Sequence, residues 1–167
     1  MRCIADTAPS LPAAPLPSDR PPVTIRGFRL GDVPFVASIV EEALHERYDP
    51  SLYGSLSAEW PDGFLIAAGP DDIPVGFLLG VSQVPGEARV LMFAVARGHR
   101  AQGIGAVLMD EFLVRCRARQ FRRVTLEVRV SNATAIRFYA RYRYSVVDLL
   151  RAYYSDGENG YQMARPT

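Results

Sequence analysis

The middle of the chain contains a glycine-bearing segment whose composition suits a phosphate-binding loop. Residues 100–106 include Gly103 and Gly105, follow a strand-like stretch and lead into a helical pattern that begins near Ile104. Glycines let a backbone approach a ligand closely, and the first turn of a helix presents N–H groups without partners inside the helix. Together with the positive end of the helix dipole, these groups favour an anion such as a pyrophosphate. A turn that only joins a strand to a helix would have the same composition, so both interpretations stand.

The residues around these glycines exclude two common nucleotide-binding loops. A Walker A loop requires Lys-Ser or Lys-Thr after the glycines, and neither pair follows them. A dinucleotide-binding fold requires a three-glycine fingerprint that opens a parallel βαβ unit, and that fingerprint is missing. His99 lies in the same loop, where a surface contact is a more ordinary role than catalysis.

A second group of residues has the types needed for proton transfer. Glu127 lies on a strand-like run rich in Val and Leu. A carboxylate there costs free energy unless it is solvated or paired, so we expect the sheet to open nearby. Asn132 is placed to cap the next helix, and Tyr139 follows two turns along on the same face. Glu and Tyr can act as general base and general acid. The alternatives are an edge-strand Glu paired with Arg129 or Arg137, an N-cap and a core Tyr.

The two cysteines, Cys3 and Cys116, argue against disulfide, zinc and covalent chemistry. They lie far apart, one near the N-terminus and one inside a helical pattern. A disulfide scaffold or a zinc site needs more ligands at closer spacing, so we expect a reducing compartment, the cytoplasm, and no bound metal. Neither cysteine lies in the two motifs, so neither supplies a covalent nucleophile.

Periodicity predicts a mixed α/β domain behind a proline-rich tail. Residues 1–22 contain six of the 13 prolines and are expected to form an extended tail, and residues 23–167 the domain. Asp32 is expected to cap the first helix, with Pro34 in its first turn. The predicted strands are residues 23–28, 64–68, 75–84, 89–96, 124–130, 145–152 and 161–164, and the predicted helices lie near residues 33–46, 52–60, 104–116 and 133–142. The order β-α-α-β-β-β-α-β-α-β-β predicts a mostly antiparallel sheet.

Charge and hydropathy exclude some classes of protein. The 19 basic residues, all Arg, face 18 acidic ones, so the net charge of +1 argues against a protein that coats nucleic acid or anionic membrane. No apolar run approaches the roughly 20 residues of a membrane span, and prolines interrupt the region where a signal peptide has its apolar block. An arginine cluster is interpreted as a solvated helix end; its members are Arg115, Arg117, Arg119, Arg122 and Arg123.

Both motifs resemble those of GNAT acetyltransferases. Arg100, Gly103 and Gly105 match the Arg/Gln-x-x-Gly-x-Gly/Ala signature of that superfamily. Residues 126–139 are similar to the Leu-Glu-Val-Arg-x-x-Asn-x-x-Ala-Ile-x-x-Tyr stretch of N-terminal protein acetyltransferases, the ribosomal-protein alanine enzymes and their archaeal relatives of broader specificity. The resemblance covers residues 23–165 and implies the GNAT fold, a mixed seven-stranded sheet flanked by about four helices.

The resemblance also implies acetyl-coenzyme A as co-substrate. The family binds the coenzyme A pyrophosphate on the loop backbone, and its preceding strand splays from its neighbour and pairs with the pantetheine arm. The residues that the resemblance assigns to this site are Phe93, Ala94, Val95, Arg100, Ala101, Gln102, Gly103, Ile104, Gly105, Ala106 and Asn132.

Substrate residues follow from two further matches. Glu46 and Tyr48 match a Glu-x-Tyr loop of the archaeal enzymes, and Tyr153 and Tyr154 match a Tyr-Tyr-x-x-Gly-Glu-Asp-Ala hairpin over the peptide groove. The chain departs from the family by Asn159-Gly160 in place of Asp-Ala, and by Arg143-Tyr144 in place of Gly-Phe.

The implied reaction is direct attack of a free amine on the thioester, with Glu127 as base and Tyr139 as acid. We expect the α-amino group of a protein or peptide N-terminus as substrate, with ribosomal proteins among the candidates. We expect no membrane or direct nucleic-acid partner, and a monomer or weak dimer. The alternatives are a small-molecule amine, a lysine side chain, and a non-enzymatic acetyl-CoA sensor.

Overall fold

The computed structural model describes residues 22–167. The predicted tail lies outside the described residues apart from Pro22, and so does Cys3. The helices are α1 Val33–Leu44, α2 Pro50–Glu59, α3 Ile104–Ala118 and α4 Ala133–Arg141. The strands are β1 Thr24–Gly27, β2 Phe64–Ala68, β3 Pro74–Val81, β4 Glu87–Val95, β5 Arg123–Arg129, β6 Ser145–Leu150 and β7 Gly160–Pro166. The predicted order of elements is confirmed.

The strands form one seven-stranded sheet in the order β1-β2-β3-β4-β5-β7-β6. All neighbours run antiparallel except β4 and β5, which are parallel because α3 crosses between them. Helices α1 and α2 cover one face of the sheet, and α3 and α4 cover the other. All eight residues of β3 are buried because both faces of this strand are covered. The predicted mixed, mostly antiparallel fold is confirmed.

Strand β4 contains a bulge that changes which side chains point to which face. Leu79 pairs with Met92 and Gly80 with Val90, so Leu91 is the extra residue. Before the bulge, Val90 packs on the α3 face; after it, Phe93 packs on that face and Met92 on the other. A bulge also bends its strand. The periodic pattern of residues 89–96 predicted the strand but not this shift.

The same region is where β4 leaves β5. Their parallel pairing runs from Glu87–Arg123 to Val90–Leu126 and stops there. Strand β4 continues beside β3 as far as Val95, and β5 continues beside β7 as far as Arg129. The two central strands therefore diverge, and a gap opens in the middle of the sheet.

The prediction that the side chain of Asp32 caps α1 is wrong, because the carboxylate is occupied by Arg26. Asp32 is the N-cap residue but makes no side-chain capping bond to the helix. Its oxygens accept hydrogen bonds from both terminal nitrogens of Arg26, at 2.7 and 2.8 Å, and from the backbone N–H of Arg29 at 2.8 Å. The pair is largely buried, with side chains 12% and 7% exposed. It fixes the end of β1 to the start of α1.

Replacing Arg26 by Ala should destabilise the domain by about 3 kcal/mol, because Asp32 would stay buried without its cation. Urea unfolding followed by circular dichroism measures the change in unfolding free energy. Arg47→Ala is the control, since the Arg47–Glu41 pair is 80% and 53% exposed and should contribute at most about 1 kcal/mol. Equal losses in the two variants would contradict a special role for the buried pair.

Candidate active site

Where β4 continues beyond its pairing with β5, its end lines a cavity of about 430 Å³ that reaches from α4 and the start of α3 to the end of α1. Its walls come from the end of β4, the loop into α3, the start of α4 and the end of α1. Ten of the eleven residues predicted to hold the cofactor line it: Phe93, Ala94, Val95, Arg100, Ala101, Gly103, Ile104, Gly105, Ala106 and Asn132. Gln102 does not; it is exposed, and its side-chain nitrogen donates to the Gly98 carbonyl at 3.2 Å.

The loop before α3 is shaped by glycine. Gly103 is the N-cap residue and has φ +81°, a conformation that few other residues adopt easily. Without a side chain it cannot cap α3, so the N–H groups of the first turn are open to a ligand. A Cβ on Gly105 would already contact the Phe93 ring at 3.4 Å, so a larger side chain there would enter the cavity. Arg100 anchors the loop by donating its Nε–H to the Val95 carbonyl at 2.8 Å.

The backbone of β4 offers donors to the gap. Ala96 donates its N–H to the carbonyl of Val75 in β3 at 2.9 Å. Gly76 and Val95 are therefore a non-hydrogen-bonded pair of the antiparallel ladder, and the N–H of Val95 points away from β3. Because β5 has diverged at this level, this N–H faces the gap.

Tyr139 lies on α4 in the cavity wall, and Asn132 caps the same helix. The Asn132 side chain accepts the Ala135 N–H at 3.0 Å, which confirms the predicted cap. Tyr139 is 8% exposed and packs against the rings of Phe138 and Tyr144. Burial raises the pKa of the Tyr139 hydroxyl well above its usual range, so this group stays a proton donor at neutral pH.

Glu127 lies on the opposite face of the sheet from Tyr139. Val128 and Leu126 pack on the α3–α4 side, so the alternation of β5 turns Glu127 to the other side. There it lines a second cavity of about 410 Å³. Its carboxylate pairs with Arg89 at 2.8 Å, not with Arg129 or Arg137. The two predicted catalytic residues thus face different cavities, on the two sides of the gap.

The four predicted substrate residues belong to two loops. In the loop between α1 and α2, the Tyr48 hydroxyl donates to Glu46 at 2.6 Å, and burial together with this bond raises the pKa of Tyr48 to about 12. In the β6–β7 hairpin, the rings of Tyr153 and Tyr154 stack edge to face at 5.1 Å. Tyr153 lines the cavity of Glu127, which Glu46 and Tyr48 do not.

The hairpin is held to β5 by charged residues. Arg129 lies 4.0 Å from the Tyr154 ring centre and donates to both Asp156 and Glu158. Hydrogen bonding to Ser131 and to Arg129 lowers the pKa of Glu158 to about 2, so this carboxylate stays charged at any physiological pH. Gly160, a departure from the family pattern, leaves room for the aromatic pair, since a Cβ there would lie 3.3 Å from the Tyr153 ring.

Comparison with known proteins assigns the chain to a family. Residues 33–143 match the sequence model of the Acetyltransferase (GNAT) family. The chain belongs to this family. An N-alpha-acetyltransferase of Sulfurisphaera tokodaii is 32% identical over 154 residues, which are 85% of this chain and 92% of the relative. The predicted acetyltransferase activity is confirmed at the level of the family.

Solved structures support the same assignment for this GNAT enzyme. Ard1 from Thermoplasma volcanium superimposes with a TM-score of 0.84 and 40% identity, covering 87% of this chain and 98% of its own. The ribosomal-protein-S18-alanine N-acetyltransferase of Escherichia coli superimposes with a TM-score of 0.75 and 25% identity, covering 86% of this chain and 93% of its own. The resemblance that the motifs predicted is confirmed.

The free cysteine within residues 22–167, Cys116, is not placed for catalysis. Cys116 is buried in the core, and burial raises the pKa of its thiol to about 12, so it is not a nucleophile at neutral pH.

Within residues 22–167, no group of three or more His, Cys, Asp or Glu side chains is arranged to hold a metal ion. None of the helices in this part of the chain combines the length and apolar character needed to cross a bilayer.

Sequence reasoning missed Arg89, the partner of Glu127. Arg89 is a charged residue on a mainly apolar strand, the same signal that singled out Glu127. The contact between them depends on the parallel register of β4 and β5, which places Arg89 beside Thr125. Periodicity alone does not supply that register, because 38 residues separate Arg89 from Glu127.

The buried hydroxyl of Tyr139 should contribute to the loss of folding stability of this enzyme at alkaline pH. Its pKa is raised in the folded state, so above pH of about 10 the unfolded state loses this proton first and stability falls as pH rises. Tyr139→Phe should flatten the fall of stability between about pH 9 and 11 relative to wild type. Denaturant unfolding at each pH measures it. A profile parallel to wild type would contradict the buried environment of this hydroxyl.

Proposed function

We propose that this enzyme transfers the acetyl group of acetyl-CoA to the α-amino group of a protein or peptide N-terminus. The observation that carries the proposal is the gap between β4 and β5. On one side lies a cavity lined by the glycine loop and Tyr139, and on the other face of the sheet lies a second cavity lined by Glu127 and Tyr153. A donor molecule can enter from one face of the sheet and an amine from the other.

The first cavity fits coenzyme A. The open N–H groups at the start of α3 suit a pyrophosphate, and the free edge of β4 beyond Val90 suits the amide groups of a pantetheine arm. Acetyl-CoA supplies an activated thioester whose carbonyl accepts an amine. The Val95 N–H, which points into the gap, is placed to donate to the oxygen on which negative charge develops.

Two side chains account for the proton transfers. Glu127 takes a proton from the substrate ammonium, directly or through a water molecule, and leaves the neutral amine that attacks the carbonyl. Tyr139, a buried phenol that retains its proton, donates to the departing thiolate. The second proton that the nitrogen loses as the amide forms passes to solvent, and solvent returns a proton to Tyr139. The positions of Glu127 and Tyr139 on the two sides of the gap match this division, because the base must reach the amine and the acid must reach the thiolate, two different substituents of the reacting carbon.

An α-amine fits this machinery better than a lysine. The pKa of an α-amino group is about 8 and that of lysine about 10.4, so lysine costs roughly 3 kcal/mol more to deprotonate at a given pH. The relatives named N-alpha-acetyltransferase, one of them 32% identical over most of its length, support the same substrate class. The 25% identical Escherichia coli enzyme named for ribosomal protein S18 adds ribosomal-protein N-termini to the candidates.

The substrate class is tested with a peptide panel. Acetyl transfer from acetyl-CoA is measured on peptides that vary in their first two residues, on N-terminally blocked Lys peptides and on small amines. Peptide α-amines should react far faster than the other two groups. Equal or faster rates on blocked Lys peptides or on small amines would replace the proposed substrate by that class.

The cofactor loop is tested with Gly105→Val. The added side chain would enter the cavity beside Phe93, so the Kd for coenzyme A should rise at least about tenfold, a loss of about 1.4 kcal/mol. Isothermal titration calorimetry measures the affinity. Gly98→Ala is the matched control in the same loop, because a Cβ at Gly98 meets no atom within 4 Å. Unchanged affinity in a folded Gly105→Val enzyme would overturn the assignment of this cavity.

The catalytic roles are tested by pH–rate profiles of Glu127→Gln and Tyr139→Phe. Glu127→Gln should lower kcat/KM most below the pKa of the substrate amine, by about 10²–10⁴-fold, and less above it, because solvent then supplies the neutral amine. Tyr139→Phe should lower kcat more evenly across pH, because the thiolate needs a proton at every pH. Wild-type kcat/KM for Glu127→Gln at pH of about 6.5 would exclude Glu127 as the base.

A further inference from the structure

Arg89 joins Glu127 to the hairpin on the substrate side. Its Nε–H donates to Oε2 of Glu127 at 2.8 Å, and its Nη2 donates to the Tyr153 hydroxyl at 3.0 Å. Three residues from three separate segments, β4, β5 and the β6–β7 hairpin, are thereby connected through one guanidinium. All three line the second cavity.

The fold places this guanidinium at the mouth of the gap. Arg89 is one residue before the last β4–β5 pair, Val90–Leu126, and Glu127 is one residue beyond it. Beyond this point the two strands diverge, so no ladder bond to β4 holds this end of β5. The contact between Arg89 and Glu127 is therefore a side-chain link between the strands just where their backbone pairing stops.

The contact leaves half of the carboxylate free. Oε2 of Glu127 is bound by Arg89, whereas Oε1 accepts no hydrogen bond from any group within residues 22–167. The Glu127 side chain is only 11% exposed, so its charge needs a nearby cation. Arg suits this task because its guanidinium is charged at every physiological pH and donates in fixed directions.

We propose that Arg89 is a positioning residue for the acetyl transfer: it holds Glu127 by one oxygen so that the other is presented to the incoming amine. The same side chain fixes Tyr153, and with it the hairpin, relative to the base. Arg89 keeps its own protons; the proton of the ammonium goes to Glu127. The inference rests on the proposed role of Glu127.

Arg115 of α3 provides a matched control. Its side chain is 32% exposed, against 34% for Arg89, and its Nε–H donates to Glu111 at 2.6 Å. It is a comparable Arg–Glu pair, but it lines neither cavity. Loss of an Arg–Glu pair as such can therefore be separated from loss of the hold on Glu127.

The test compares Arg89→Ala, Arg89→Gln and Arg115→Ala in steady-state kinetics with an N-terminal peptide. Arg89→Ala should lower kcat by about 10²-fold, the size of effect that a misplaced catalytic group can have, with the KM for acetyl-CoA unchanged. Arg89→Gln, which keeps much of the side-chain volume, should show the same loss and replaces Arg89→Ala if that variant folds poorly. Arg115→Ala should stay near wild type. Added guanidinium ion should partly restore kcat of Arg89→Ala but not of Glu127→Gln.

The double variant Arg89→Ala/Glu127→Gln tests whether Arg89 acts through Glu127 or independently of it. It should be no slower than Glu127→Gln alone, because Arg89 acts through that carboxylate. Wild-type kcat in Arg89→Ala and Arg89→Gln, with Glu127→Gln still impaired, would overturn the role of Arg89 and leave the base assigned. A full additional loss in the double variant would show that Arg89 acts independently of Glu127 and would also overturn it. Unimpaired Glu127→Gln would remove the base itself, and with it the role of Arg89.

Discussion

The divergence of β4 from β5 is the constraint on which the functional half of this molecule depends. A sheet is normally held at its centre by continuous ladders, yet here the parallel ladder ends at Val90–Leu126. Each strand keeps its other neighbour, β3 or β7, so the sheet stays intact on both sides of the opening. The unpaired edge of β4 thus faces the first cavity, where a ligand or water can satisfy its backbone groups. An unpaired edge on the surface is a liability, whereas in the function that we propose this edge binds the pantetheine arm.

The opening also separates two environments for proton transfer. On the α3–α4 side, aromatic rings surround Tyr139 and keep its hydroxyl protonated. On the other side, Glu127 lies among polar and charged groups and is paired with Arg89. An apolar pocket favours a neutral acid, and a charged pocket accommodates an anionic base. The sheet that divides the two pockets allows both conditions within one small domain.

Sequence patterns predicted the helices, the strands and most of the lining of the first cavity because these depend on local periodicity and on contiguous motifs. Interactions between distant segments were harder to predict. The carboxylate of Asp32 has the residue type of a helix cap, but Arg26 occupies it from the neighbouring strand. Arg89 was missed because its contact with Glu127 depends on the register between β4 and β5, two strands that α3 separates along the chain. At Arg143, where the family pattern has Gly, φ is +62°, so this backbone conformation is kept at the expense of some strain.

The bulge at Leu91 has a consequence for how this strand tolerates change in length. Because one extra residue reverses the alternation, Phe93 and Val95 reach the α3–α4 side only if the number of residues between Val90 and Phe93 is kept. Replacing Leu91 by another apolar residue preserves that number. Deleting it would restore plain alternation, and the side chains of the following segment would exchange faces. In this strand the number of residues matters as well as their types. Removing one residue would turn the later side chains to the other face of the sheet, although every remaining amino acid is unchanged.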